Sequence, residues 1–164
     1  MVSNVCDNWH LEEDRFKILA DLQVLVVDDN DDCLELVRMI LEEYGTQVVT
    51  VASAREAFNV MTQSAGYANA PFKPDVLISD IAMPLEDGYW LIHQIRTLSP
   101  HQGGLIPAIA LTACATADEH SRSLEAGFQV HLPKPIEPDD LVAVVAHLTE
   151  QNLWMKRCDL PRAS

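Results

Sequence analysis

The chain has 164 residues, 48% of them hydrophobic, with a formal net charge of −14. That length holds one domain with a real core and little more, and the composition is that of a packed globular protein, which excludes a disordered chain. The charge argues against a nucleic-acid-binding surface, no apolar run approaches the ~18 residues of a membrane span, and an acidic N-terminus lacks the basic start of a signal peptide.

In chain order, residues 1–21 form an N-terminal extension in which a short helix around 9–19 has irregular apolar spacing. A first strand at 24–27 runs into Asp28, Asp29, Asn30, Asp31 and Asp32, four carboxylates in five positions. At ~5 Å and an effective dielectric of ~20, each like-charged pair costs roughly 3 kcal/mol, so a cation is expected there. The first helix spans 31–44, with Leu34, Val37, Leu41 and Tyr44 on one face and Gly45 as its stop. A second strand covers 48–51, and Ser53-x-x-Glu56 reads as a capping box opening the second helix. After a long loop at 66–74 come a third strand at 76–79 and a third helix behind Gly88, with Leu91, Ile95 and Leu98 at helical spacing. The fourth strand lies at 106–111, and the fourth helix runs from the capping box Thr116-x-x-Glu119 to Gly127. The fifth strand occupies 129–132, and the fifth helix enters through Pro138 and presents Leu141, Val144, Val145 and Leu148. Residues 150–164 carry Lys156, Arg157 and Arg162 and show no packed element.

Strand and helix alternate five times, which predicts an α/β fold with a doubly wound, five-stranded parallel sheet covered on both faces. From Leu22 to Thr149 the chain carries 18 acidic and 6 basic residues. The cysteines Cys6, Cys33, Cys114 and Cys158 lie far apart and read as reduced thiols, which with the missing leader makes the cytoplasm the expected compartment.

In open sheets of this kind, ligands gather at the carboxyl ends of the strands. The first strand ends in Asp28-Asp29, the third in Asp80 and the fourth in Thr112, and the fifth leads into Lys134-Pro135. The carboxylates would converge on one rim as a hard, all-oxygen site suited to Mg²⁺. A carboxylate beside such a metal can attack phosphorus, with the ammonium and hydroxyl stabilising the phosphoryl oxygens.

These residues resemble the receiver domain of two-component response regulators. The likeness covers 22–149 and rests on Asp28-Asp29, Asp80, the "MPLEDG" segment from Met83 to Gly88, "LTA" with Thr112, and "PKP" with Lys134. The resemblance implies a (βα)5 three-layer sandwich of the flavodoxin-like, CheY-like kind. It implies that Asp80 takes a phosphoryl group from a histidine kinase or histidine phosphotransfer protein. Asp28, Asp29, Asp80 and the backbone carbonyl of Ala82 would hold Mg²⁺, Thr112 and Lys134 would engage the phosphoryl group, and Lys134-Pro135 would be a cis peptide. Thr112 and His131 would form the switch, His131 standing where many receivers have Tyr or Phe and adding pH sensitivity near neutrality. Ala82 and Cys114 occupy positions that tune dephosphorylation, and neither side chain positions a water. The chain would be a stand-alone receiver with no output domain and no direct nucleic-acid or membrane contact. It would signal through the face made by the fourth helix, fifth strand and fifth helix, and a homodimer is compatible with this. The alternative is the receiver module of a hybrid histidine kinase.

Blander readings stand beside these. Asp31 and Asp32 belong to a solvated helix start, stabilised by the helix dipole. His93, His120 and His147 read as helix-surface residues, no histidine lies at metal-ligand spacing from another, and Cys114 reads as small apolar filler near the rim. An EF-hand starting at Asp28 fails at Cys33 and Met39, and the six glycines never form a phosphate cradle. A phosphatase of the haloacid dehalogenase type would use Asp29 as nucleophile with Asp139-Asp140 as its late acidic pair, and would leave Asp80 without a role.

Overall fold

A computed structural model describes residues 13–65, 73–114 and 116–158. The first residues of the expected N-terminal helix and most of the loop at 66–74 lie outside them. Five parallel strands form one sheet: β1 (Gln23–Val27), β2 (Gln47–Val51), β3 (Val76–Asp80), β4 (Ala108–Thr112) and β5 (Val130–Pro133). Five helices alternate with them: α1 (Asp31–Glu42), α2 (Ala54–Ala65), α3 (Gly88–Arg96), α4 (Ala117–Ala126) and α5 (Pro138–Cys158). The spatial order is β2-β1-β3-β4-β5, so the chain reverses direction across the sheet between β1 and β3.

The near-continuous apolar runs occupy the middle of the sheet. Every residue of β3 and β4 is buried, whereas β2, at an edge, is only half-buried beyond Gln47. One layer of core joins Val24, Val26, Ile78 and Ile109 to Val37 and Leu41 of α1 and Leu141 and Val145 of α5. The other joins Leu25, Val27 and Leu77 to Ala57 and Met61 of α2 and Leu91 and Ile95 of α3. The three-layer α/β sandwich expected from the alternation is therefore the fold.

Helix ends follow their capping chemistry. Asn30 caps α1 by accepting from the Cys33 N–H, Asp87 caps α3 by accepting from Trp90, and Thr116 caps α4 by accepting from Glu119. At α2, Ser53 Oγ accepts from the Glu56 N–H while the Glu56 carboxylate accepts from Ala52, one residue before the expected partner. Asp31 and Asp32 sit exposed in the first turn of α1, as a solvated helix start should.

Two expectations about the flanks change. Helix α5 does not stop near Thr149 but continues to Cys158, because the run from Glu150 to Cys158 contains neither Gly nor Pro. The N-terminal segment is docked on the domain: residues 13–19 are helical, Leu19 is fully buried with the first core layer, and Thr46 Oγ1 donates to the Leu19 carbonyl. Phe16 packs on Tyr44 of the α1–β2 turn with ring centroids 4.6 Å apart.

Candidate functional site

The site lies at the carboxyl ends of β1 and β3, where the strand order reverses and a parallel sheet opens a crevice. Register sets Val27 opposite Ser79, which brings the next residues of the two strands, Asp28 and Asp80, to the same rim. Asp28 is fully buried and Asp80 nearly so, while Asp29 faces solvent. Ligand oxygens from Asp28, Asp29 and Asp80 all lie within 4.8 Å of one another. Lys134, delivered by the turn after β5, reaches across with Nζ 2.8 Å from Asp28 Oδ2 and 3.4 Å from Asp80 Oδ1. The Lys134-Pro135 peptide is cis, as the motif implied.

These charges act on one another. Burial and then the facing Asp28 push the Asp80 carboxyl above its ordinary value, against the pull of Lys134 and of the Ala82 N–H. Burial pulls the Lys134 ammonium down, but its bond to Asp28 and the two nearby carboxylates outweigh that and raise it. Cys33, half-buried at the same rim, has its thiol pushed up to about 12 by burial and by Asp28, so it is an unreactive neighbour. Three carboxylates against one ammonium leave the cluster about two charges negative, and its donors are all oxygen. That donor set and that excess charge fit a hard divalent cation.

Asp28 also accepts from the Asn30 N–H at 2.9 Å through its other oxygen, which fixes the carboxylate in place. Behind Asp80, the start of α3 presses against β3. A Cβ on Gly88 would stand 2.4 Å from the Asp80 carbonyl oxygen and 2.9 Å from Ile81 Cα, so only glycine fits. The motif contained Gly88, but nothing in the spacing revealed that it underlies Asp80.

Three further residues expected at the rim have partners of their own. The Thr112 hydroxyl is buried and engaged with Cys114, accepting from its N–H at 3.1 Å and donating to its carbonyl at 3.0 Å. Cys114 is exposed and is therefore not buried apolar filler. His131 is half-buried against His120 of α4. Burial and then His120 hold its imidazole below the ordinary value, against Glu119. Asp139 and Asp140 lie exposed in the first turn of α5, outside the carboxylate cluster, which removes the phosphatase arrangement.

A doubly wound sheet with carboxylates and one ammonium gathered at its switch point defines the class, an α/β protein of the flavodoxin-like type with a polar strand-end site. Residues 24–146 match the response regulator receiver domain, and the chain belongs to that family of two-component signalling modules. It is 38% identical over 127 residues to the uncharacterized 14.6 kDa protein in the sodA1 3'region of Leptolyngbya boryana, covering 77% of this chain and 89% of that one. It is 34% identical to part of the sensor histidine kinase RcsC of Salmonella typhi, covering 80% of this chain but only 13% of the kinase. The solved signal receiver domain of a signal transduction histidine kinase from Syntrophus aciditrophicus superposes with a TM-score of 0.65 at 29% identity, covering 87% of this chain and 94% of that one. As a receiver domain the chain is a phosphoacceptor signalling module that works with histidine kinases or phosphotransfer proteins. Among the described residues, no helix is long and apolar enough to cross a membrane.

Proposed function

We propose that Asp80 is the phosphoacceptor, that the chain catalyses its own phosphorylation from a phosphohistidine donor, and that it acts as a single-domain regulator by protein contact. The observation that carries this reading is the convergence of Asp28, Asp29 and Asp80 on one rim, bridged by Lys134. A carboxylate oxygen of Asp80 attacks phosphorus, the P–N bond to the donor histidine breaks, and the leaving nitrogen keeps that electron pair. Asp28, Asp29, Asp80 and the Ala82 carbonyl would hold Mg²⁺, which when bound neutralises charge on the phosphoryl oxygens. Lys134 lies within reach of Asp80 and pairs with a phosphoryl oxygen there. Thr112 exchanges its bond to the Cys114 carbonyl for one to the phosphoryl group, which carries the event to the β4–α4 turn.

The output surface is the face of α4, β5 and α5, on which a homodimer could also form. Swinging that face from 1:99 to 99:1 in favour of its active arrangement takes ~5.5 kcal/mol of differential binding. Neither Ala82 nor Cys114 has a side chain that would orient an attacking water, so the aspartyl phosphate is long-lived.

Incubation with acetyl phosphate and Mg²⁺ followed by intact mass tests the assignment. One phosphoryl group is expected on the wild type, persisting for minutes or longer, and none on Asp80→Asn. An adduct on Asp80→Asn overturns the acceptor, and loss within seconds overturns the lifetime.

The similarity to a receiver inside a sensor kinase favours a second reading, a module of a hybrid histidine kinase. An immunoblot of the source cells separates the two. A band near 18.2 kDa supports the single-domain regulator, and a much larger one supports the hybrid.

A further inference from the structure

His120 and His131 stand eleven positions apart in the chain, at no recognisable ligand spacing, yet α4 and β5 bring them face to face. Nδ1 of one lies 3.3 Å from Nδ1 of the other. The ring centroids are 5.2 Å apart and the planes are inclined at 43°. Two imidazole nitrogens on one tetrahedral zinc-class ion, each at ~2.0–2.1 Å, stand about 3.3–3.4 Å apart. Each ring centre then lies about 1.15 Å behind its nitrogen, which sets the centroids about 5.2 Å apart. The 3.3 Å contact is an N–H···N hydrogen bond whose direction depends on the tautomer, and an ion would take the place of that proton. Both observed separations fit two lone pairs meeting at a common point.

The geometry points to a second cation site, in which Nδ1 of His120 and Nδ1 of His131 hold a zinc-class divalent ion and cross-link α4 to β5. His120 is exposed and His131 half-buried, so the meeting point opens to solvent and water fills the remaining positions. Nitrogen donors select late first-row metals over Mg²⁺, which separates this site from the all-oxygen cluster. Binding requires both imidazoles neutral, so protons compete with the ion for the two nitrogens, and Glu119 of α4 lies within charge range of His131. Glu119 is itself held by the Tyr89 hydroxyl at 2.6 Å and adds negative charge near the pair. Such an ion would tie two elements of the proposed output face, and the site stands whether or not Asp80 is the acceptor.

The test is a Zn²⁺ titration of the full chain in excess Mg²⁺, followed by calorimetry and by the histidine ring resonances. One ion per chain is expected, with the His120 and His131 signals moving together. Either His120→Gln or His131→Gln should weaken binding roughly tenfold or more, ~1.4 kcal/mol. His120 is exposed, so His120→Gln keeps the fold, which circular dichroism verifies. Asp80→Asn should leave the Zn²⁺ affinity unchanged. Absence of Zn²⁺ binding, undiminished binding in His120→Gln, or loss of binding in Asp80→Asn each overturns the site.

Discussion

At Asp80, burial and the Asp28 carboxylate act in the same direction and lift the carboxyl above its ordinary value. A carboxyl raised in the folded state favours folding when protonated, so its contribution is full below the unfolded value of about 3.8 and is lost as pH rises through the folded value. Metal-free protein should therefore gain from Asp80 as pH falls from 7 through that raised value, and Asp80→Asn should stabilise it by about 1 kcal/mol at pH 7. Urea melts of both proteins at several pH values check this; a destabilised Asp80→Asn would contradict it. Gly88→Ala acts in the opposite direction, since its Cβ would press on the Asp80 carbonyl. A loss of about 2–3 kcal/mol in the same melts is expected, with slower acetyl phosphate labelling as Asp80 shifts. The carboxylates and Lys134 were legible in the sequence because a strand end in a doubly wound sheet has one direction to face. The Gly88 contact and the His120–His131 pair were not, because each depends on how closely two separate elements approach.

Elements announced themselves mainly through their ends. Asn30, Asp87 and Thr116 each occupy the cap of the helix that follows, and Gly127 closes α4 with a positive φ of 123°. The C-terminal boundary was illegible because the apolar spacing ends near Thr149 while nothing there breaks a helix, so α5 runs on to Cys158. Nor did any spacing announce the role of Arg96 at the last turn of α3. Its guanidinium donates to the Gly127 carbonyl at 2.7 Å and to the Gly104 carbonyl at 2.9 Å, clamping the end of α4 and the loop before β4 to α3. Arg96→Ala should cost about 2–3 kcal/mol and speed amide exchange in the last turn of α4 before that of α1. Equal acceleration in both helices would show that Arg96 supports the whole domain and not that junction.

For the molecule as a whole, the five alternations carried the fold class, and strand order decided where the polar site sits. The excess negative charge of the cluster makes cation binding a source of stability as well as chemistry. At 100 times its dissociation constant, Mg²⁺ should add ~2.7 kcal/mol to unfolding, and a thermal melt with Asp29→Ala should lose most of that gain. An equal gain in the variant would place the ion elsewhere. The ion pair between Lys134 and Asp28 has a further consequence, because 106 positions separate its partners. Synthesis delivers the acids of β1 and β3 long before β5 emerges, and parallel strand pairing is slow to close such distances. Until then the acids of β1 and β3 lack the ammonium that offsets their mutual repulsion in the folded domain. The charge balance of the rim is thus completed late, by a residue that follows the last strand.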